Sequence, residues 1–446
     1  MLKSCPLIRC LSPAQSVFDV SPRGWLLLAI GFISLVLIAL IGLFSPWHIL
    51  PVPIRPLPAS ADFSGAEISR ASAFHSSILP WGLGSWALGF ILIGIAGFTR
   101  VGSRLLGLLP GPFLLRTFAG VLLIEIAINV AELPLDFARE KIFRHYGLST
   151  QNWSSWLFER LQHLAIGSLL TGVGLALLVG LARILGGRWW VVGGVGAALL
   201  VIILSYGYPL VIEPIFNKFT PMSASPLRDD LMALAARDGV PVRQILVADA
   251  SRRTTALNAY VSGFGATRRI VLYDVLLKNA TPDEVKLVVA HELGHAKAND
   301  VGRFTIVGAL SSTLGVLTIA LLLQWQPLLR RAGLKPSLNP LGDPRSIALV
   351  LALIALMTLL QQPVTSLLSR NVEARADVHA LDLTGDPKGF VEMQRTLAIS
   401  NLSDLNRSKI LFWLFDTHPT TPQRIAIARS WARLKHKVEP PLINNG

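Results

Sequence analysis

His291-Glu292-Leu293-Gly294-His295 is the run whose residue types and spacing are suited to chemistry. Two histidines four residues apart fall on one face of a helix, about 6 Å from each other, so both imidazoles reach a single metal ion. Glu292 then stands beside the coordination position they leave open, placed to act as a base toward water. The surrounding stretch TPDEVKLVVAHELGHAKAND, 281–300, reads as one helix. Thr281 is its N-cap, Pro282 sits in the first turn where a missing N–H is harmless, and Glu284 completes a capping box. Two histidines do not hold a catalytic metal alone; a third protein ligand must come from elsewhere.

The elements that position this helix are set by composition. Of 446 residues, 52% are hydrophobic and 15% are charged, which is the balance of a polytopic membrane protein with a modest polar part. The net charge of +14 would suit nucleic acid in a soluble chain. Here basic residues flank spans and meet anionic lipid, so the bilayer is the expected partner and nucleic acid is not. Cys5 and Cys10 are the two cysteines and lie in the N-terminal tail. They cannot form a disulfide framework or complete a zinc site.

Seven apolar runs read as membrane spans, at about 24–44, 81–98, 117–133, 164–181, 190–212, 304–323 and 347–360. Loops are expected at 46–79 and 134–160, and Trp189 and Trp190 read as interfacial anchors. The third run carries Glu125 and Glu132, candidates for lining a cavity; for Glu132, helix-end snorkelling or internal hydrogen bonding reads equally well. Between the fifth and sixth runs the texture turns polar. Ser225-Pro226 opens an amphipathic helix ending at Gly239, and ILVADA, LNAYVSG and RRIVLYDVLL predict a small sheet ahead of the metal helix. The expected fold is thus an all-α membrane protein of about seven transmembrane helices with a small α+β metallopeptidase domain. Its parts are 1–212 with five spans, 213–303 with the sheet and metal helix, 304–362 as a transmembrane hairpin, and 363–446 as a helical segment completing the site.

The hairpin indicates where the third ligand lies. An antiparallel return brings the chain back to the metal helix's side just before Ser369-Arg370-Asn371-Val372-Glu373-Ala374-Arg375-Ala376-Asp377. Glu373 is therefore the candidate third ligand. Asp377, one helical turn further on the same face, is suited to accept a hydrogen bond from the second ring nitrogen of a ligand histidine. His163 and His379 are read as structural, the latter because six residues from Glu373 turns it to another face.

Taken with PLVIEPIFNKFTP (209–221), LNAYVSG (257–263), RRIVLYDVLL (268–277), SRNVEARAD (369–377) and THPTTPQRI (417–425), the zinc helix resembles the type 1 CAAX prenyl proteases, integral membrane zinc metalloproteases with a gluzincin core. The order and spacing of these motifs agree over nearly the whole chain. The resemblance implies seven spans around a water-filled intramembrane chamber, one Zn2+ held by His291, His295 and Glu373, and Glu292 as general base. It also implies that Asn258 and His418 hold the scissile carbonyl and its oxyanion, and that Arg424 is an ion-pairing residue near the site. The expected substrate is a peptide or protein, prenylated or membrane-associated, and the metal site is expected on the cytoplasmic side (of the inner membrane if the source is prokaryotic). A quality-control membrane protease without prenyl specificity is the alternative within the class. A transporter would account for the spans and their carboxylates but not for H-E-x-x-H together with E-x-x-x-D.

Overall fold

A computed structural model describes residues 22–43, 49–263, 265, 268–337 and 339–443. The tail with Cys5 and Cys10 lies outside these described residues. The membrane part begins with α1 (Pro22–Leu43), α2 (Gly65–Phe98), the short α3 (Arg100–Gly107), α4 (Phe113–His145), α5 (Trp153–Leu185) and α6 (Trp189–Val211). A short α7 (Glu213–Phe216) leads into the polar insertion, which runs β1 (Phe219–Pro221), α8 (Pro226–Asp238), β2 (Gln244–Ala248), β3 (Ala259–Ser262), β4 (Arg269–Tyr273), α9 (Asp274–Asn279) and α10 (Pro282–Lys297). The chain then re-enters the bundle as α11 (Asp300–Leu322), turns through α12 (Gln326–Arg331), and returns as α13 (Ile347–Thr384). It closes with α14 (Pro387–Ser400), α15 (Lys409–Phe415) and α16 (Thr421–Leu434).

Among the described residues, five helical segments are long and apolar enough to cross a membrane: Gly65–Phe98, Phe113–His145, Trp153–Phe216, Asp300–Leu322 and Pro344–Thr384. The third of these holds both α5 and α6, and within α1 Leu26–Val36 is a shorter apolar helix. Among the described residues the chain is mostly helical with one small sheet, as its composition and periodicity predict.

Element boundaries depart from the sequence reading at prolines. The apolar runs stop beside Pro80, Pro134 and Pro363, yet α2, α4 and α13 each carry that proline in their interior. Proline is tolerated inside long membrane helices because neighbouring helices hold the kinked backbone in place. Much of the expected loop at 46–79 is therefore the start of α2, fixed by a capping box in which Ser64 Oγ accepts from Glu67 N at 3.3 Å and Ser64 N donates to Glu67 Oε2 at 2.8 Å. The expected loop at 134–160 is likewise largely the end of α4 and the start of α5.

Trp189 and Trp190 are buried rather than interfacial, at 5% and 7% exposure. They join Leu106, Val179, Leu323, Leu329, Leu341 and Ile347 in an apolar core at the end of the bundle where α11 stops and α13 starts. Close helix packing here needs small residues: a Cβ on Gly97 of α2 would lie 2.6 Å from the Ala348 carbonyl oxygen of α13. Glu125 is tied between helices, accepting from Ser168 Oγ of α5, while Glu132 packs against Gly89 of α2.

The second core, at the opposite end, builds the metallopeptidase part. Leu231, Ile270, Leu272, Leu287, Leu293, Phe390, Ile425 and Trp431 meet there from α8, the sheet, α10, α14 and α16. The sheet order is β1-β2-β4-β3, with β2 and β4 parallel and the two outer pairs antiparallel. The sequence reading found three of its strands and missed β1, a three-residue edge strand that ends in Pro221. The run RRIVLYDVLL divides at Asp274, where strand gives way to α9.

Candidate active site

The expected single helix over 281–300 ends early. Its start is as read: Thr281 Oγ1 accepts from Glu284 N at 3.3 Å, and Thr281 N donates to Glu284 Oε2 at 2.7 Å. Its end comes at Lys297, because Asn299 adopts a left-handed conformation (φ 54°) and Asp300 begins α11. Asparagine tolerates that region better than most side chains. The burial of Val285, Leu287, Val289 and Leu293 fixes the rotation of α10. Gly294 lets it approach α13, since a Cβ there would come within 3.0 Å of His379.

This rotation turns His291 and His295 toward α13, where they meet Glu373. The two Nε2 atoms lie 3.2 Å apart, and Glu373 Oε2 and Oε1 lie 3.2 and 3.5 Å from His291 and His295 respectively. One donor atom from each of the three residues falls within 4.8 Å of the others. Glu373 Oε2 is buried and accepts no well-formed hydrogen bond, which a native structure rarely leaves uncompensated. Two imidazole nitrogens and a carboxylate oxygen converging on one point suit a divalent metal, and an open fourth position suits a catalytic one.

Each histidine is held by its other nitrogen. His291 Nδ1 lies 3.0 Å from Asp377 Oδ1, the contact expected from the E-x-x-x-D spacing. Asp377 is fully buried and gripped by Arg424 of α16, whose Nε donates to Oδ2 at 2.9 Å. His295 Nδ1 lies 2.9 Å from Asp300 Oδ2, and Arg375 donates to both Asp300 oxygens at 2.5 Å. With both Nδ1 atoms engaged by carboxylates, the Nε2 lone pairs are presented to the metal position.

Asp300 and Arg375 were not singled out in the sequence. Five residues beyond His295 on a continuing helix, Asp300 would face away; only the turn at Asn299 returns it. His379, read as structural, bonds Asp238 Oδ2 at 3.0 Å through Nε2, and His163 stacks on Phe216 at 4.4 Å.

Two clefts meet at the donors. One, of about 550 Å³, runs over α14 and the segment 403–421 toward His75, Arg407 and Asp416. The other, of about 780 Å³, runs between β3 and the membrane helices past Tyr206, Tyr208, Val301 and Phe304. Both are lined by Asn258, His291, Glu292, Glu373 and His418. Burial pushes the Glu292 carboxyl above its ordinary range, and His291 and His295 offset this only in part. His418 stands at the mouth with Nε2 3.3 Å from Glu373 Oε2. Asn258 is exposed where the edge strand β3 begins, its Oδ1 accepting from Ala259 N at 2.9 Å. The structure thus brings all eight expected site residues into one region.

Comparison with known proteins agrees with this architecture. Residues 82–218 match the family described as CAAX prenyl protease N-terminal, five membrane helices, and residues 221–432 match peptidase family M48. The metalloprotease YhfN of Bacillus subtilis is 25% identical over 340 residues, 76% of this chain and 79% of that one. CAAX prenyl protease 1 of Saccharomyces cerevisiae is 31% identical over 229 residues, 49% of this chain and 50% of the yeast protein. The chain thus aligns with about half the length of that yeast relative. The crystal structure of S. mikatae Ste24p shares the fold, with a TM-score of 0.73 at 22% identity over 90% of this chain and 98% of that one. The two family matches, which together cover most of the chain, the His-His-Glu donor set and the membrane-capable helices show that it belongs to peptidase family M48, as a multi-pass membrane metallopeptidase whose N-terminal region matches that of the CAAX prenyl proteases.

Proposed function

We propose that the protein is a zinc endopeptidase that cleaves an extended peptide lying across the two clefts. Supporting this most directly, the Glu373 carboxylate, whose buried Oε2 has no hydrogen bond of its own, meets His291 Nε2 through Oε2 and His295 Nε2 through Oε1, the two rings being oriented by Asp377 and Asp300. His291, His295 and Glu373 would hold the ion. Bound there, zinc supplies Lewis-acid polarisation of a peptide carbonyl and acidifies water toward neutral pH.

The protein's own groups do the rest. β3 is an edge strand and offers its free side for pairing with an extended substrate, which sets the register of the scissile bond. Glu292 removes a proton from water as the new C–O bond forms and delivers it to the amine nitrogen as the C–N bond breaks. Asn258 and His418, flanking the same position, donate hydrogen bonds to the developing oxyanion. Arg424 holds Asp377, and through it His291.

The clefts differ in a way that bears on the substrate. The larger is walled by apolar side chains of α6 and α11, while the smaller is lined with Arg407, Asp416 and other polar groups. An apolar modification beside the cleaved bond would fit the first and a polar chain end the second. This favours a prenylated, membrane-associated substrate. Hydrolysis of matched peptides with and without a farnesylated cysteine tests it: the prenylated peptide should have the higher kcat/KM by at least tenfold. Equal values would favour the quality-control reading.

Orientation of the second histidine gives a separate expectation. Asp300→Asn should weaken Zn2+ affinity by about 10–100-fold, read by competition with a chromogenic chelator. Unchanged affinity would mean that Asp300 serves only its pairing with Arg375.

A further inference from the structure

At the end of the bundle remote from the metal donors, α4 and α13 begin and α5 ends. Glu373 lies 26 residues along α13 from Ile347, about 39 Å at 1.5 Å per residue. A depression of about 670 Å³ at this far end is lined by Arg116, Arg183 and Arg345, with Asp343 the one acidic residue in its wall.

The charges do not balance. Asp343 is taken by Arg345, whose Nε and Nη2 donate to Oδ2 at 2.8 and 2.5 Å. Arg116 reaches only the Leu106 carbonyl, at 3.4 Å, and its Nε is buried without a hydrogen-bond partner. Arg183 donates to the Gly342 carbonyl at 3.0 Å, with its guanidinium 4.7 Å from the centre of the Phe113 ring. Arg116 lies within the field of Asp343, but neither it nor Arg183 makes a salt bridge, so three guanidinium groups at the ends of membrane-capable helices share one carboxylate. The residues beside Arg116 and Arg183, Leu115 and Ile184, are apolar and 56% and 80% exposed.

We propose that this depression binds the phosphate headgroup of an anionic phospholipid, with its acyl chains along Leu115 and Ile184. Guanidinium forks match phosphate oxygens in geometry and charge, and basic pockets between membrane helices recognise anionic headgroups. A soluble anion would satisfy the arginines but leave the apolar rim uncovered; a phospholipid meets both. The site is independent of the catalytic reading.

The test is thermal unfolding of the detergent-purified full chain with phosphatidylglycerol, phosphatidylcholine or inorganic phosphate added. Phosphatidylglycerol should raise the midpoint more than phosphatidylcholine does, and inorganic phosphate should not reproduce the rise. Arg116→Gln/Arg183→Gln should at least halve the difference between the two lipids. The single Arg183→Gln, at an exposed position, should reduce it if the double variant does not fold. Arg330→Gln/Arg331→Gln, at the same end but outside the depression, should leave it intact. An undiminished difference in the Arg183→Gln protein, its loss in the Arg330/Arg331 variant, or an equal effect of inorganic phosphate would each overturn the proposal.

Discussion

Glu292→Gln should leave the metal bound and lower peptide hydrolysis by about 10²–10⁴-fold, the usual contribution of a positioned general base. Glu292 follows His291 on α10 yet stands outside the donor set, which is His291, His295 and Glu373, and it lines both clefts at the point where they meet. Glutamine keeps the shape and the burial but cannot accept the proton. Metal content by atomic emission and turnover of a labelled peptide separate the two roles. Wild-type turnover in this variant would refute the assignment; loss of the metal together with activity would move Glu292 into the ligand set.

Glu373→Ala should have the opposite signature, with metal and activity lost together. Removing the carboxylate leaves two neutral imidazoles, too few protein donors for a stable catalytic zinc site. Dialysis against a mild chelator should strip the variant while wild type retains about one ion per chain. Retention of a full equivalent by the alanine variant would show that another group is the third ligand. The fold should survive: Glu373 lies on the face of α13 that turns toward the clefts, while the neighbouring Ala374, Ala376 and Ala380 carry that helix's buried packing.

The two variants also separate the claims by kind. Glu373 tests what holds the ion; Glu292 tests what is done beside it. A prenyl preference could fail while both hold, since it depends on the apolar wall from α6 and α11 and not on the donors.

Much of this site was legible because its determinants are local. The i, i+4 spacing of His291 and His295 puts them on one helical face wherever the helix sits. The capping box at Thr281 and Glu284, the cap at Ser225 and the left-handed stop at Gly239 are each written within four residues, and all appear in the structure. The Glu373–Asp377 spacing likewise carries its own geometry once a hairpin returns the chain.

What was not legible depends on distant surroundings. Residues on either side of Pro80, Pro134 and Pro363 read as separate elements, because a single chain does not show the neighbouring helices that hold a kinked helix together. Trp189 and Trp190 have the composition of interfacial anchors, and only the packing of α6 against α5 and α11 within the apolar core buries them. Asp300 is the sharpest case. Helical periodicity turns it away from His295, and one left-handed residue, Asn299, reverses that and pairs it with Arg375, 75 positions on. By itself, then, the sequence determined the helix, the facing histidines and the base beside them, since backbone sterics and caps act over a few residues. The tertiary structure decided which carboxylates orient the histidines and how the clefts are walled, because those contacts exist only once remote segments pack.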